Sequence, residues 1–269
     1  MNARHGHHGR RVAAIVLMVC ILGGVVYAQR GRARNRRPQL DVQVQGNTPY
    51  DGRFTFVRLR YNTGFGFGGH IGDGGVPWSH DYPDGEVHFS KILEELTLLD
   101  IRTDGSNILA LDDPELFNYP VAYMAEPGFW GVSENEARAF RSYLLKGGFV
   151  IFDDFRGQDW DNLQAQMKMV LPEANWVELD GNSRVFHSFF EIPHPEALEP
   201  PAIYGGRFVP SYWGIFENND PGKRLMAVAN VNNDISEYWE FSNLGFFPVD
   251  LSNEAYKFGV NYFIYALTH

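Results

Sequence analysis

Cysteine is almost absent from this sequence. Its one copy, Cys20, lies inside an uncharged apolar run at 12–28, so residues 29–269 hold no thiol. That excludes disulfides, a thiolate nucleophile and cysteine metal sites from the body of the chain. The usual catalytic spacings are missing as well: there is no phosphate-binding G-x-x-x-x-G-K, no H-E-x-x-H, no EF-hand loop and no G-x-S-x-G elbow. Gly64, Gly66 and Gly69 have the spacing of a dinucleotide loop, but no helical pattern opens behind them, so the match is empty. No internal repeat occurs. Basic residues are scarce over most of the length. Eight of the 23 lie in residues 1–38, where there is no acid, which leaves 15 against all 33 acids in the rest. A body so acidic repels phosphate backbones, so the expectation is no nucleic acid among its partners.

What is present begins with the apolar run at 12–28, preceded by Arg4, Arg10 and Arg11 and ending in Val26-Tyr27-Ala28. A basic flank, a short apolar stretch and a small residue at its end are the parts of an export signal. The run also reaches the lower length limit for a membrane-spanning helix. Arg30, Arg32, Arg34, Arg36 and Arg37 follow it and oppose simple translocation. Val19 in front of Cys20 argues against lipoprotein acylation. We expect residues 1–28 to be a signal peptide or signal anchor, 29–52 a basic, flexible tether and 53–269 a single α/β domain. The protein is then exported, periplasmic or anchored in the inner membrane by its N-terminal segment, which meets the membrane if uncleaved.

The body is organised around residues 119–157. They comprise an apolar strand, a loop, a helix opened by the capping box Ser133-Glu134-Asn135-Glu136, an exit at Gly147-Gly148, and the apolar strand Phe149-Val150-Ile151-Phe152. Such a β-α-β unit demands a parallel strand pair. Further strands are expected at 54–61, 107–111, 176–179 and 188–192, with a short one at 40–44 and a late pair at 212–217 and 225–231 across an Asn-Asn-Asp-Pro-Gly turn. Helices are expected at about 84–99, with Phe89, Ile92, Leu93, Leu96 and Leu99 on one face, at 160–171, and from near Ser252 to the end. The fold class is α/β: a mostly parallel sheet sandwiched by helices, with extra antiparallel strands late in the chain. Residues 62–85 hold eight glycines and no periodicity, a loop of a length that is often functional and otherwise an ordered excursion.

Four segments, Phe56 to Tyr61 (FVRLRY), Trp78 to Pro83 (WSHDYP), Tyr143 to Phe155 (YLLKGGFVIFDDF) and Phe258 to Thr268 (FGVNYFIYALT), resemble the bacterial family catalogued as domain of unknown function 4159. The resemblance spans roughly residues 53–269. It implies an exported or membrane-tethered protein and assigns no activity. The β-α-Gly-Gly-β unit also resembles the class I glutamine-amidotransferase-like, flavodoxin-like fold. Amidotransferases in that fold work through a cysteine, which this body lacks, so their activity is not implied.

In open α/β sheets ligands bind beyond the carboxyl ends of the strands. That rule selects Asp153-Asp154 and the loop with Glu126 and Trp130 as ligand-binding candidates, together with Trp78, His80, Asp81 and Tyr82 just before a helix. Adjacent residues of an extended strand point to opposite sides, so only one of Asp153 and Asp154 is expected in a cleft. Asp153 reads either as a site carboxylate or as the cap of a neighbouring helix. His80 with its acids is a donor set suited to a divalent cation, and Trp78 and Tyr82 suit stacking on sugars, while an acid at a helix start is also favourable through the dipole alone. Arg58 or Arg60 is expected to pair with Asp153 or Glu126. His187 and His194 read as structural or surface residues. No spacing assigns a metal, a cofactor or a catalytic residue. The leading expectation is binding of a protein partner or small polar ligand without catalysis. The alternatives are a hydrolase-like enzyme, metal-assisted or carbohydrate-acting, and a structural component of a cell-envelope assembly.

Overall fold

A computed structural model describes residues 44–63, 76–206 and 208–269. The export signal, most of the tether, all but the last residue of the strand expected at 40–44 and the glycine-rich segment 64–75 lie outside these residues. Among the described residues no helix is long and apolar enough to cross a membrane.

The two apolar runs of the β-α-β unit form β4 (Val121–Ala125) and β6 (Phe149–Phe155), parallel and in register from Val121 opposite Phe149 to Ala125 opposite Asp153. Around them stand β1 (Val57–Arg60), β3 (Asn107–Ala110), β7 (Trp176–Leu179), β8 (Ser211–Phe216) and β9 (Leu225–Val231), in the order β3-β1-β4-β6-β9-β8-β7. The first five in that order are mutually parallel, and β8 and β7 add antiparallel strands at one end. Counted in chain order, the parallel strands run 2-1-3-4-5, the order of flavodoxin-like doubly wound sheets. A two-stranded ribbon joins β2 (Asn62–Thr63) to β5 (Trp130–Gly131).

Alternation along β4 and β6 divides the core. Ala122, Met124, Val150 and Phe152 face α2 (Glu134–Leu145) and α3 (Asp159–Val170). Val121, Tyr123, Phe149 and Ile151 face α1 (Asp84–Leu96), α4 (Ile235–Glu240) and α5 (Val249–Thr268). Each fully buried Phe in these layers contributes about 1.5–3 kcal/mol through the area it removes from water.

Three elements differ from expectation. No strand forms at 188–192, because Asn261 Oδ1 accepts from the amides of Phe189 and Phe190 and its Nδ2 donates to Phe190 O, at 3.0, 2.7 and 2.9 Å. The side-chain amide thus takes the backbone groups a strand partner would need. Helix α1 stops at Leu96, where the Thr97 hydroxyl donates to Leu93 O at 2.7 Å. The short helix α4 is an addition to the expected elements.

The segment just before β1 is pinned along the sheet edge. Asn47 accepts from Ile108 N and donates to Ile108 O, both at 2.8 Å, and Thr48 exchanges two bonds with the Asn107 side chain. These contacts cover β3, the edge strand.

Candidate functional site

The site grows out of the carboxyl end of β6. The ladder with β9 slips between Phe152 and Phe155, and Asp154 takes a left-handed conformation, φ 57°. Such a bulge breaks the two-residue alternation. Asp153 and Asp154 therefore join one network instead of pointing to opposite sides, which corrects the expectation that only one would enter. Asp153 accepts from the amides of Ile235 and Ser236, the first turn of α4, and from Asn230 Nδ2 at 2.9 Å. It is the helix-capping carboxylate of the two. Asp154 accepts from the Tyr204 hydroxyl at 2.7 Å, and its Oδ2 lies 2.7 Å from His80 Nδ1.

The loop carrying His80 and Asp81 is fastened from below by a buried cation. Arg58, wholly buried in β1, pairs with Glu86 at 2.5 Å and donates to Trp78 O and His80 O at 3.0 and 2.7 Å. Its partner is thus Glu86 on α1, not Asp153 or Glu126, because α1 crosses under β1. Burial opposes the charge of Arg58, but Glu86 outweighs it and holds the guanidinium above its ordinary value. Glu86 takes most of this charge, and the guanidinium's remaining pull on Asp81 ranks behind those of His80 and Ser236.

Those acids are numerous. Asp81 Oδ1 lies 3.2 Å from His80 Nδ1, and Asp81 Oδ2 accepts from Ser236 Oγ. Ser236 in turn receives the Tyr123 hydroxyl at 2.6 Å, which also lies 2.9 Å from Asp153 Oδ2. A continuous polar path therefore runs from Asp153 through Tyr123, Ser236, Asp81 and His80 to Asp154. Asp234 caps α4 by accepting from Glu237 N at 3.0 Å, while its wholly buried Oδ2 has no hydrogen-bond partner among the described residues. One donor atom from each of His80, Asp81, Asp234 and Glu237 falls within 4.8 Å of the others.

Burial and mutual repulsion set the charge states. Desolvation, with Asp154 next, pushes Glu126 up to about 8. Desolvation, with Asp81 next, does the same for Glu237 and Glu240, and desolvation with Asp154 next raises Asp234 well above the usual carboxylate range. Desolvation also carries Asp153 up to about 7, against the Asn230 hydrogen bond. Burial works against a charged His80, but Asp81 and Asp154 win and hold the imidazole protonated far above its ordinary range. Burial likewise works to raise Asp81, yet His80 and Ser236 bring it down to about 2. The result is a pocket of carboxylates too crowded for all to ionise beside one imidazolium.

Four non-glycine residues at this edge, Asp81, Glu126, Asp154 and Asn232, have left-handed backbones with φ between 47° and 62°. Such conformations cost roughly 1–3 kcal/mol each and cluster at functional sites. Of the residues selected from sequence, His80, Asp81 and Asp154 meet directly, and Asp153 joins them through Tyr123 and Ser236. Glu126 stands at the rim, where its carbonyl accepts from the Tyr61 hydroxyl at 2.6 Å. Trp78, Tyr82 and Trp130 are packed into the apolar core, so their rings are not exposed stacking surfaces. His187 bridges Gly181 O and Glu191, and His194 lies beside Glu196 on the surface.

Sequence reading missed Asp234, Ser236 and Glu237. The available signal was Asp234-x-x-Glu237 directly after the apolar run of β9, the pattern of a helix start. No curated protein matches the chain. The family model for a domain of unknown function, DUF4159, matches residues 55–267, which takes in every strand described above and every helix but for the last residue of α5, and the chain belongs to that family.

Proposed function

We propose that this domain binds a small, polar, positively charged ligand at the carboxyl edge of its sheet. The observation that carries this reading is the buried network of His80, Asp81, Asp154, Asp234 and Glu237, in which acids outnumber bases at the strand ends where doubly wound folds place their ligands. A positive ligand supplies the charge that the pocket lacks. The serine of the network, Ser236, is bonded to Tyr123 and Asp81, and a carboxylate held near 2 is a poor base, so nucleophilic catalysis by Ser236 is not part of this proposal. The apolar run at 12–28 supports a role outside the cytoplasm, with the domain tethered to or released from the inner membrane.

A hydrolytic role is the second reading. It draws on Glu126, Glu237 and Glu240, each raised to about 8 and so able to exchange protons near neutral pH.

The test is a thermal-shift screen of the full-length chain against organic amines, amino sugars, neutral sugars and divalent cations, repeated with Asp154→Asn. Saturable stabilisation by a cationic ligand, weakened in the variant, is expected. Stabilisation by none of these, or equal stabilisation of the variant, removes the proposal. Turnover of glycoside or ester substrates that is lost in Glu237→Gln moves the assignment to the hydrolytic reading.

A further inference from the structure

We propose that His80, Asp81, Asp234 and Glu237 form a divalent-cation site, with one imidazole nitrogen and three carboxylate oxygens as ligands. This deepens the polar-ligand reading of the same pocket and rests on it. The two separate residue pairs come from opposite parts of the chain. His80 and Asp81 lie in the loop before α1, and Asp234 and Glu237 lie on the first turn of α4, at N-cap and N3. The sheet brings them together because β9 delivers α4 beside β6, and Arg58 on β1 fixes the His80 loop.

The geometry suits a metal. Bonds of about 2.1 Å place neighbouring ligands about 3.0–3.4 Å apart and opposite ones about 4.2 Å apart, so donor atoms already within 4.8 Å of one another reach one ion through side-chain shifts on the order of an ångström. Asp234 gives the independent sign of a ligand. Its side chain is wholly buried, Oδ1 is used by Glu237 N and Ser236 Oγ, and Oδ2 has no hydrogen-bond partner among the described residues. A buried carboxylate oxygen without a partner is costly unless a cation completes it. The charges acting most strongly on Asp234 are all carboxylates: Asp154, Asp81, Asp153 and Glu237. Among the described residues the cation beside it is the His80 imidazolium, which already pairs with Asp81 and Asp154.

The surroundings fit as well. Asp154 holds His80 Nδ1 at 2.7 Å, the carboxylate–histidine contact that orients a ligating imidazole, and a cation would bind Nε2 by displacing the proton that the metal-free imidazolium carries there. Tyr204 holds Asp154 in turn. Asp81 is steadied by Ser236, and Ser236 by Tyr123. One nitrogen with three hard oxygens is the donor mixture of Mn²⁺, Fe²⁺ or Zn²⁺, more than that of Ca²⁺ or Mg²⁺.

The experiment is isothermal titration of the EDTA-stripped, full-length chain with MnCl₂, ZnCl₂, MgCl₂ and CaCl₂ in turn. Wild type is expected to bind one Mn²⁺ or Zn²⁺ per chain saturably. Glu237→Gln and Asp234→Asn are each expected to weaken binding at least 10-fold, and Asp154→Asn by about 10- to 100-fold through misorientation of His80. Asparagine still caps a helix, so Asp234→Asn retains α4. Should it fail to fold by circular dichroism, Glu237→Gln decides. Glu95→Gln on the exposed face of α1 is the control and should bind as wild type. Absence of saturable binding of any cation to wild type overturns the proposal, as does wild-type affinity in the folded Glu237→Gln variant. Stabilisation by amines or amino sugars without cation binding overturns the metal assignment alone and leaves the polar-ligand proposal standing.

Discussion

At the amino ends of β4 and β6, Phe149 N donates to Pro120 O at 2.9 Å, Tyr143 donates to Tyr119 O at 3.0 Å, and Arg224 reaches across to Gly148 O and Leu144 O at 2.9 and 2.6 Å. The helix exit at Gly147 uses the residue that a positive φ of 116° favours. At the carboxyl ends of the same two strands, an aspartate and a glutamate take left-handed backbones, and Asp234 holds an oxygen without a hydrogen-bond partner among the described residues. One end of the strand pair is assembled for stability. The other carries strain and repulsion that a fold selected for stability alone would discard, which is the physical mark of a site.

The largest test of this contrast removes the scaffold beneath the site. Arg58→Met leaves Glu86 buried and uncompensated and frees the His80 loop, so a loss of about 3–5 kcal/mol in urea unfolding is expected. Adding Glu86→Leu should restore most of the stability but not the ligand response, since the bonds to Trp78 O and His80 O remain lost. Recovery of both would mean that the loop holds its shape without Arg58.

At the stable end the next test adds a methyl group. A Cβ on Gly148 would meet the ring of Tyr143 at 2.5 Å, in a core with no room to yield. Gly148→Ala should cost about 1–3 kcal/mol and leave ligand-induced stabilisation unchanged. At the strained end the sign should reverse. Glu126→Gly relieves a left-handed glutamate and a half-buried, repelled carboxylate, so unfolding free energy should rise by about 1 kcal/mol. A loss at Glu126→Gly would mean that its side chain stabilises the edge, and the contrast between the two ends would fail.

The most gradual test is pH. Glu126 and Asp153 have folded pKa values raised above their unfolded ones, to about 8 and about 7, so the native state keeps protons that the unfolded chain has lost. Stability from such groups is full below about pH 4 and disappears as pH rises through 7 to 8. His80, also raised, acts in the same direction above its ordinary value. The melting temperature of the unliganded chain should therefore fall between about pH 5 and about pH 9. A melting temperature that rises over that range would show these groups to be ionised and well paired at the site.

Much of the architecture was legible because it rests on local pattern. The apolar runs at 121–125 and 149–155, the Ser133 capping box and the Gly147-Gly148 exit each act through neighbours within a few residues. The strand expected at 188–192 failed because Asn261, some seventy residues away, holds its backbone. The candidate site divides in the same way. Asp153, Asp154, His80 and Asp81 could be selected from strand ends and helix starts. Asp234 and Glu237 could not, because their helix is only six residues long and their role depends on which loops the sheet order makes adjacent.

By itself, the sequence determined the α/β class, the absence of thiol chemistry, the acidity of the body and the edge where a site would stand. Those follow from composition and from periods of 2 and 3.6, which need no partner beyond the next turn or strand. Tertiary structure alone decided that Asp154 turns with Asp153 into one network, that Arg58 is spent on Glu86, and that four donors from two distant loops converge. Each of those depends on a bulge, a crossing helix or a strand order, and burial then gives the converged charges their altered affinities for protons.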